Sequence, residues 1–510
     1  MRNARGGAGR GFRGLVCASA LALLACSGQD DPPCDAASAQ AALDGAGPGG
    51  TVRLGACEIA GPLRVPAGAR LEGVAGTVIV AGEGTAGVVL APGLGADATE
   101  LASVEVRVEG LIGVLARGAG SVALEQVRIE VVRGIGVGLS GLTTLSLDSV
   151  TIAGPVTAAT ATSPEYLRVV AAAPPPGECP GGATCECEPG ETGGDGRVCD
   201  ASGAWATVGA AYGLYLDAVA DADLRDVEVS GMAAFGVVSR GGLVRWTGGE
   251  LAENLGVGLR QIGGEVVLED VAVRDTLQGV RGEPSYAIAT TDAARIESIR
   301  LTLVENERFG LLQFESAGSH EDLVAEGNGD AAVWVGASDD FALRGTGTSL
   351  ADNSFAGLVV AGSRNVRIED AVIEATRTVE RPVGTFGVRQ IGDGIHLSDS
   401  LVDVALARVI LRANGRAGLV ADLGAGSAGI AFTGVTVEGS GSELGAVAGR
   451  SDGSGHITPV AMGGWDDGIT RLGATAANDA TLPATMDAVG TDRPSEIPGI
   501  GELAVIAPMF

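Results

Sequence analysis

The chain has 510 residues, 46% apolar and only 3% aromatic, so a large core is available but must be built from small and branched aliphatics. Glycine, at 83 residues, is far above ordinary usage but lacks the strict one-third of collagen, and the apolar content excludes disorder. The formal charge is −29, all 34 basic residues are arginine and no basic run occurs, which argues against a nucleic-acid partner.

Residues 1–25 read as an export signal. Arg2, Arg5, Arg10 and Arg13 precede an apolar run from Leu15 to Ala25, too short to span a bilayer. The run ends in Leu23-Leu24-Ala25-Cys26, which resembles the lipobox of bacterial lipoproteins. That resemblance implies cleavage before Cys26, lipidation of Cys26 and membrane contact through the lipid alone. Ser27 after it is compatible with the outer membrane of the cell envelope, and residues 26–34 read as a polar tether.

Six cysteines remain for the exported chain, an even number that predicts disulfides. Cys34 and Cys57 flank a helix-forming segment, 35–46, expected to cap the N-terminal end of a repeat. Cys179, Cys185, Cys187 and Cys199 fall in one insertion within 155–210. Their spacing allows Cys179–Cys185 with Cys187–Cys199, or Cys179–Cys187 with Cys185–Cys199. A four-cysteine zinc site is disfavoured, because the spacing lacks paired C-x-x-C knuckles. The segment from Cys185 resembles the end of an EGF-like module, and that resemblance favours the first pairing.

Two short patterns alternate along the chain. In the first, a small residue precedes an apolar–any–apolar triplet, beginning at Gly113, Gly136, Gly213, Gly236, Gly258, Ala287, Gly310, Ala332, Gly357, Gly394 and Gly418. In the second, apolar residues are spaced as in Leu147-x-x-Val150-x-Ile152 and Leu268-x-x-Val271-x-Val273. Period-two strands with glycine-rich corners, repeating at about 23 residues, cannot bury their own apolar faces and must stack. Asn254, Asn306, Asn328, Asn353 and Asn414 each lie four residues before a strand-starting small residue. This register suits left-handed corners and a hydrogen-bonded amide ladder. With these features the chain resembles the right-handed parallel β-helix superfamily of pectate-lyase-like proteins over about Thr51–Ala448. The expected class is all-β: a right-handed parallel β-helix over 35–449 with a short N-terminal helical cap and a disulfide-bonded insertion. Tyr166–Ala171 inside the insertion is one more possible strand. Residues 450–510 are expected to form an irregular tail or cap, with Leu503–Ile506 as a last strand.

Members of that superfamily include polysaccharide lyases, hydrolases and epimerases, so the resemblance implies a polysaccharide partner. Two readings follow: a polysaccharide-binding or structural surface protein, or a lyase or hydrolase acting on acidic glycans. The catalytic candidates are Asp339 and Asp340, which resemble the paired aspartates of polygalacturonases, and His396. No cofactor is expected; Ca²⁺ is the one ion the turn aspartates could take, although no EF-hand loop or Gly-Asp nonapeptide repeat is present. The insertions within 155–210, 280–286 and 375–393 all end before a strand of the first pattern, so they should project on one side. The residue two after each small residue should point outward. This column carries Tyr215, Arg260, Trp334 and His396, expected as the floor of a sugar-binding groove.

Overall fold

The computed structural model describes residues 32–82, 85–95, 97–156, 197–199, 205–207, 212–278, 285–382, 388–415, 417–423, 427–438, 446–451, 457–462, 480–481 and 486–490. The chain winds as a parallel β-helix of about thirteen coils. Each coil contributes three strands, as in Ile112–Arg117, Ser121–Glu125 and Arg128–Val131. First strands stack only on first strands, and likewise second and third, always in parallel: Leu124, Leu147, Leu224, Trp246 and Leu268 align in one column, and Ile129, Ile152, Val229 and Leu251 in another.

Corner chemistry explains both sequence patterns. Between Leu147 and Val150 stands Ser149 with φ of 55°, and Asp226, Asp270, Asp322 and Asp370 occupy the same left-handed corner in other coils. One left-handed residue shifts the alternation, so inward apolar residues are spaced three apart there and two apart beyond it. Val150 and Ile152 are accordingly both buried. The small residue of the first pattern is needed because the next coil's backbone passes over it. A Cβ on Gly394 would lie 2.5 Å from the Gly418 carbonyl oxygen and 2.7 Å from Asn414 Nδ2.

The five asparagines are buried at the same corner position; Asn306, Asn328 and Asn353 are consecutive, and Thr276 and Thr376 take the position between them and Asn254 and Asn414. Asn306 Nδ2 donates to Asn328 Oδ1 at 2.8 Å, and Asn328 Nδ2 donates to Asn353 Oδ1 at 2.7 Å. Each amide also donates to a carbonyl of the preceding coil, Asn328 to Leu303 O at 3.1 Å. Asn254 and Asn414 make backbone bonds in the same pattern, accepting from Met232 N and Thr376 N. Replacing Asn328 by Ala should leave the Asn306 amide N–H and the Leu303 carbonyl unpaired inside the protein, a loss of about 3 kcal/mol. A denaturation midpoint unchanged from wild type would contradict a stabilising ladder.

The helix Ala36–Gly45 closes the N-terminal end. Asp35 caps it, its carboxylate accepting from Ser38 N at 2.9 Å, and the Ser38 hydroxyl, followed by this backbone bond, lowers the Asp35 pKa. Leu43 and Ala39 are buried against the first coils. Gln40 supplies what a further strand would: its Oε1 accepts from Arg64 N at 2.8 Å and its Nε2 donates to Arg64 O at 3.1 Å. An edge that would invite pairing with another chain is thereby covered. The disulfide Cys34–Cys57 ties the helix entry to the first coil. At the other end the tail is not irregular throughout: Ile457–Met462 runs antiparallel to Ala446–Ser451, and Ala480–Thr481 runs antiparallel to Thr436–Glu438.

One histidine lies inside the solenoid. His320 points inward between Ser298 and Leu343 in its column. Its Nδ1 is 2.8 Å from Ser298 Oγ, and its Nε2 is buried without a partner. Burial pushes its pKa down to about 4. The folded value lies below the unfolded one, so stability is complete above about pH 6.5 and falls as pH drops toward 4, by roughly 3 kcal/mol in all. His320→Leu, matching the Leu343 below it, should flatten that part of the acid-denaturation profile. An identical pH dependence in the variant would refute a buried neutral imidazole.

Candidate functional site

The outer face of the first-strand sheet is where the insertions enter. The strands Tyr212–Asp217, Tyr286–Thr291 and Val388–Asp399 all belong to this sheet and stand where the three insertions end; the third insertion is in part a hairpin, Val379–Pro382 antiparallel to the first residues of Val388–Asp399. Most of residues 155–210 and 280–286 lies outside the described residues, as do Cys26, Tyr166–Ala171, Leu503–Ile506 and the side chains of Cys179, Cys185, Cys187 and Cys199.

The predicted outward column exists in register: Leu115, Gly138, Tyr215, Val238, Arg260, Ala289, Leu312, Trp334, Val359, His396 and Val420 align coil by coil. Its exposure is uneven. Tyr215 and Arg260 are partly exposed, whereas Trp334 is 5% exposed and His396 is fully buried. A groove floor running through all four residues is therefore not what the structure shows.

Trp334 is outside the solenoid interior, but aromatic neighbours enclose it. Its ring stacks on Phe355 at 6.3 Å and meets Phe309 edge-on at 5.8 Å, and Phe309 stacks on Tyr286 at 5.2 Å. Val257, Leu312 and Val359 complete this cluster. His396 Nδ1 is 3.0 Å from Asp393 Oδ2, and both side chains are fully buried. Asp339 and Asp340 stand apart from this pair, at the corner entering the second sheet. Asp339 is exposed and ion-paired to Arg364 at 2.8 Å. Among the described residues no cluster of three His, Cys, Asp or Glu is placed to hold a metal.

Two further outward columns flank the predicted one. The residue before each small residue gives Tyr212, Phe235, Val257, Tyr286 and Phe309, and the residue four after it gives Asp217, Arg240 and Ile262. Tyr212 stacks on Phe235 at 5.4 Å and meets Tyr215 edge-on at 6.5 Å. These columns bring Tyr212, Tyr215, Arg240 and Arg260, all partly exposed, onto one patch, with Tyr286 buried at its edge. Arg240, two residues beyond the predicted column, was legible by the same alternation; Tyr212 and Tyr286, three residues before that column, were not, because strict alternation puts them on the other face.

The electrostatics of this patch differ from the rest of the surface. Several arginines elsewhere pair with acids of an adjoining coil: Arg300 grips Asp270 with two bonds, at 2.5 and 2.7 Å, and Arg408 does the same to Asp370. Those bonds lower the Asp270 and Asp370 pKa values. Neither Arg240 nor Arg260 makes an ion pair among the described residues, although Asp217 is in register with Arg240 and the Asp292 charge acts on Arg260. Burial, and after it the Arg240 charge, lowers the Arg260 pKa. Burial pushes the Tyr286 phenol up to about 12 and raises that of Tyr212, so both are neutral hydroxyls in ordinary buffers. The Tyr286 hydroxyl is itself buried without a partner. An anion seated here would relieve the repulsion between two cations and accept from donors that lack acceptors.

No family model matches the chain, and no curated protein matches it. Among solved structures it is similar to the periplasmic alginate epimerase AlgG, with 11% identity over 76% of each chain and a TM-score of 0.29. It is also similar to PfbA, a surface adhesin of Streptococcus pneumoniae, with 11% identity over 86% of this chain and 97% of that one and a TM-score of 0.34. A family 28 exopolygalacturonase of Yersinia enterocolitica matches at 12% identity over 78% of this chain and 72% of that one, with a TM-score of 0.27. Similarity this low says nothing about activity.

Proposed function

We propose that the protein is a cell-envelope binding protein for an acidic polysaccharide, held on the outer face of the first-strand sheet between the coils of Tyr212 and Tyr286. The observation that carries this reading is Arg260: a partly buried guanidinium, beside a second cation and among three tyrosines, with no acceptor among the described residues. A uronate carboxylate fits a guanidinium with two parallel bonds, and sugar C–H faces pack on tyrosine rings. The apolar and hydroxyl surface would fix the ring, and the arginines would select the charge.

For a lyase or hydrolase, an acid and a base must face the sugar from one cleft. Asp393 and His396 are fully buried, and Asp339 and Asp340 belong to the second sheet's corner. The binding reading is therefore preferred. It is tested by screening the exported chain, residues 26–510, against immobilised polyuronates and neutral glycans. Binding restricted to the acidic glycans and weakened by salt is expected; binding to neutral glycans alone, or to none, would overturn it.

Attachment to the envelope through Cys26 belongs to the same proposal and rests on Leu23-Leu24-Ala25-Cys26. Multiple acyl chains anchor stably, whereas a single chain does not. Cys26→Ser should move the protein into the soluble fraction or leave it unprocessed. Unchanged membrane association would refute the anchor.

A further inference from the structure

A cavity of about 720 Å³ lies near the N-terminal end of the solenoid, and its lining residues Ala86 and Leu115 belong to one apolar cluster with Tyr212 and Tyr215 at the edge of the tyrosine–arginine patch. Its volume is in the range of ligand sites for small molecules. It is built where the outer face of the first-strand sheet meets the capping helix. Val89 and Leu115 occupy the outward column, in register with Arg64, and stay partly exposed where residues of the later coils are buried. Prolines 62, 66 and 92 contribute further apolar wall.

The polar groups are few and sit at the edge. Arg64 is exposed and its guanidinium makes no hydrogen bond or ion pair among the described residues; Arg117 lines the same cavity two residues beyond Leu115. The one carboxylate in the lining, Asp44 of the helix, already accepts from Gln40 Nε2 at 2.8 Å. Aromatic rings, on which a sugar would stack, are absent from this lining. An aliphatic chamber with cations at its rim and no aromatic platform suits an apolar body that ends in a negative charge.

We propose that this cavity is a second ligand site, distinct from the polysaccharide face, and that it takes a small amphipathic acid: a carboxylate on an alkyl chain. The alkyl part lies against Val89, Leu115 and the prolines of the wall, and the carboxylate meets Arg64 at the rim. This assignment does not depend on what the tyrosine–arginine patch binds.

Isothermal titration of the full-length exported protein with decanoate, below its micelle concentration, tests it. One saturable site is expected, weakened about tenfold or more by Arg64→Ala. Arg64 is exposed, so the variant should keep the wild-type melting temperature, and Leu115→Asp should abolish the site through the apolar floor. Uncharged octyl glucoside should bind more weakly than decanoate. No saturable decanoate binding, equal binding by Arg64→Ala, or occupancy of this site by a uronate trisaccharide in preference to decanoate would each overturn the assignment.

Discussion

Trp334→Ala should destabilise the protein by about 3 kcal/mol or more, the range for removing a large ring from a packed site. The ring is only 5% exposed and lies against Phe309 and Phe355, so its loss opens a void that the stiff parallel strands on either side cannot close. The alternation of the strand points this side chain away from the solenoid interior, and an outward tryptophan on an open face would contribute little to folding. Thermal or chemical denaturation of the variant separates the two situations. A midpoint within error of wild type would show that the outer face is open at Trp334.

The second large effect concerns binding. Arg240→Ala with Arg260→Ala removes both cations of the patch and should weaken acidic-glycan binding about a hundredfold or more, since each charge-assisted bond is worth on the order of 1.5–3 kcal/mol. The double variant should not lose stability, because neither arginine makes an ion pair and removing Arg260 also removes repulsion between the two. Arg260→Lys should recover only part of the affinity, as an ammonium keeps the charge but not the paired geometry. Variants at Arg300 or Arg408, whose guanidinium groups are already engaged by Asp270 and Asp370, should bind as wild type does.

The architecture was legible in the sequence because it is written once per coil. The small residue marks where backbone of the next coil passes overhead, and the Leu-x-x-Val-x-Ile spacing marks the left-handed corner at Ser149 and its equivalents. The asparagine register was visible for the same reason. The site was only partly legible. Alternation gives the side on which a residue lies, which placed Tyr215, Arg260, Trp334 and His396 in one column. It does not give what lies over that side, and Trp334 and His396 are buried although they point outward. Arg240, Tyr212 and Tyr286 were missed because they occupy the flanking columns. Asp393 was missed as the partner of His396 because a regular strand places residues three apart on opposite faces, whereas the register is broken at Gly394, inside the strand, and the two side chains meet.

The most direct test of the polysaccharide face is a titration of one purified oligouronide, of about six units, into wild-type protein and into the Arg240→Ala, Arg260→Ala double variant, with melting temperatures recorded in parallel. Saturable binding by wild type, lost in the double variant at unchanged melting temperature, is the expected result. Equal affinity in the two proteins would place any binding elsewhere on the molecule and contradict the assignment of this face.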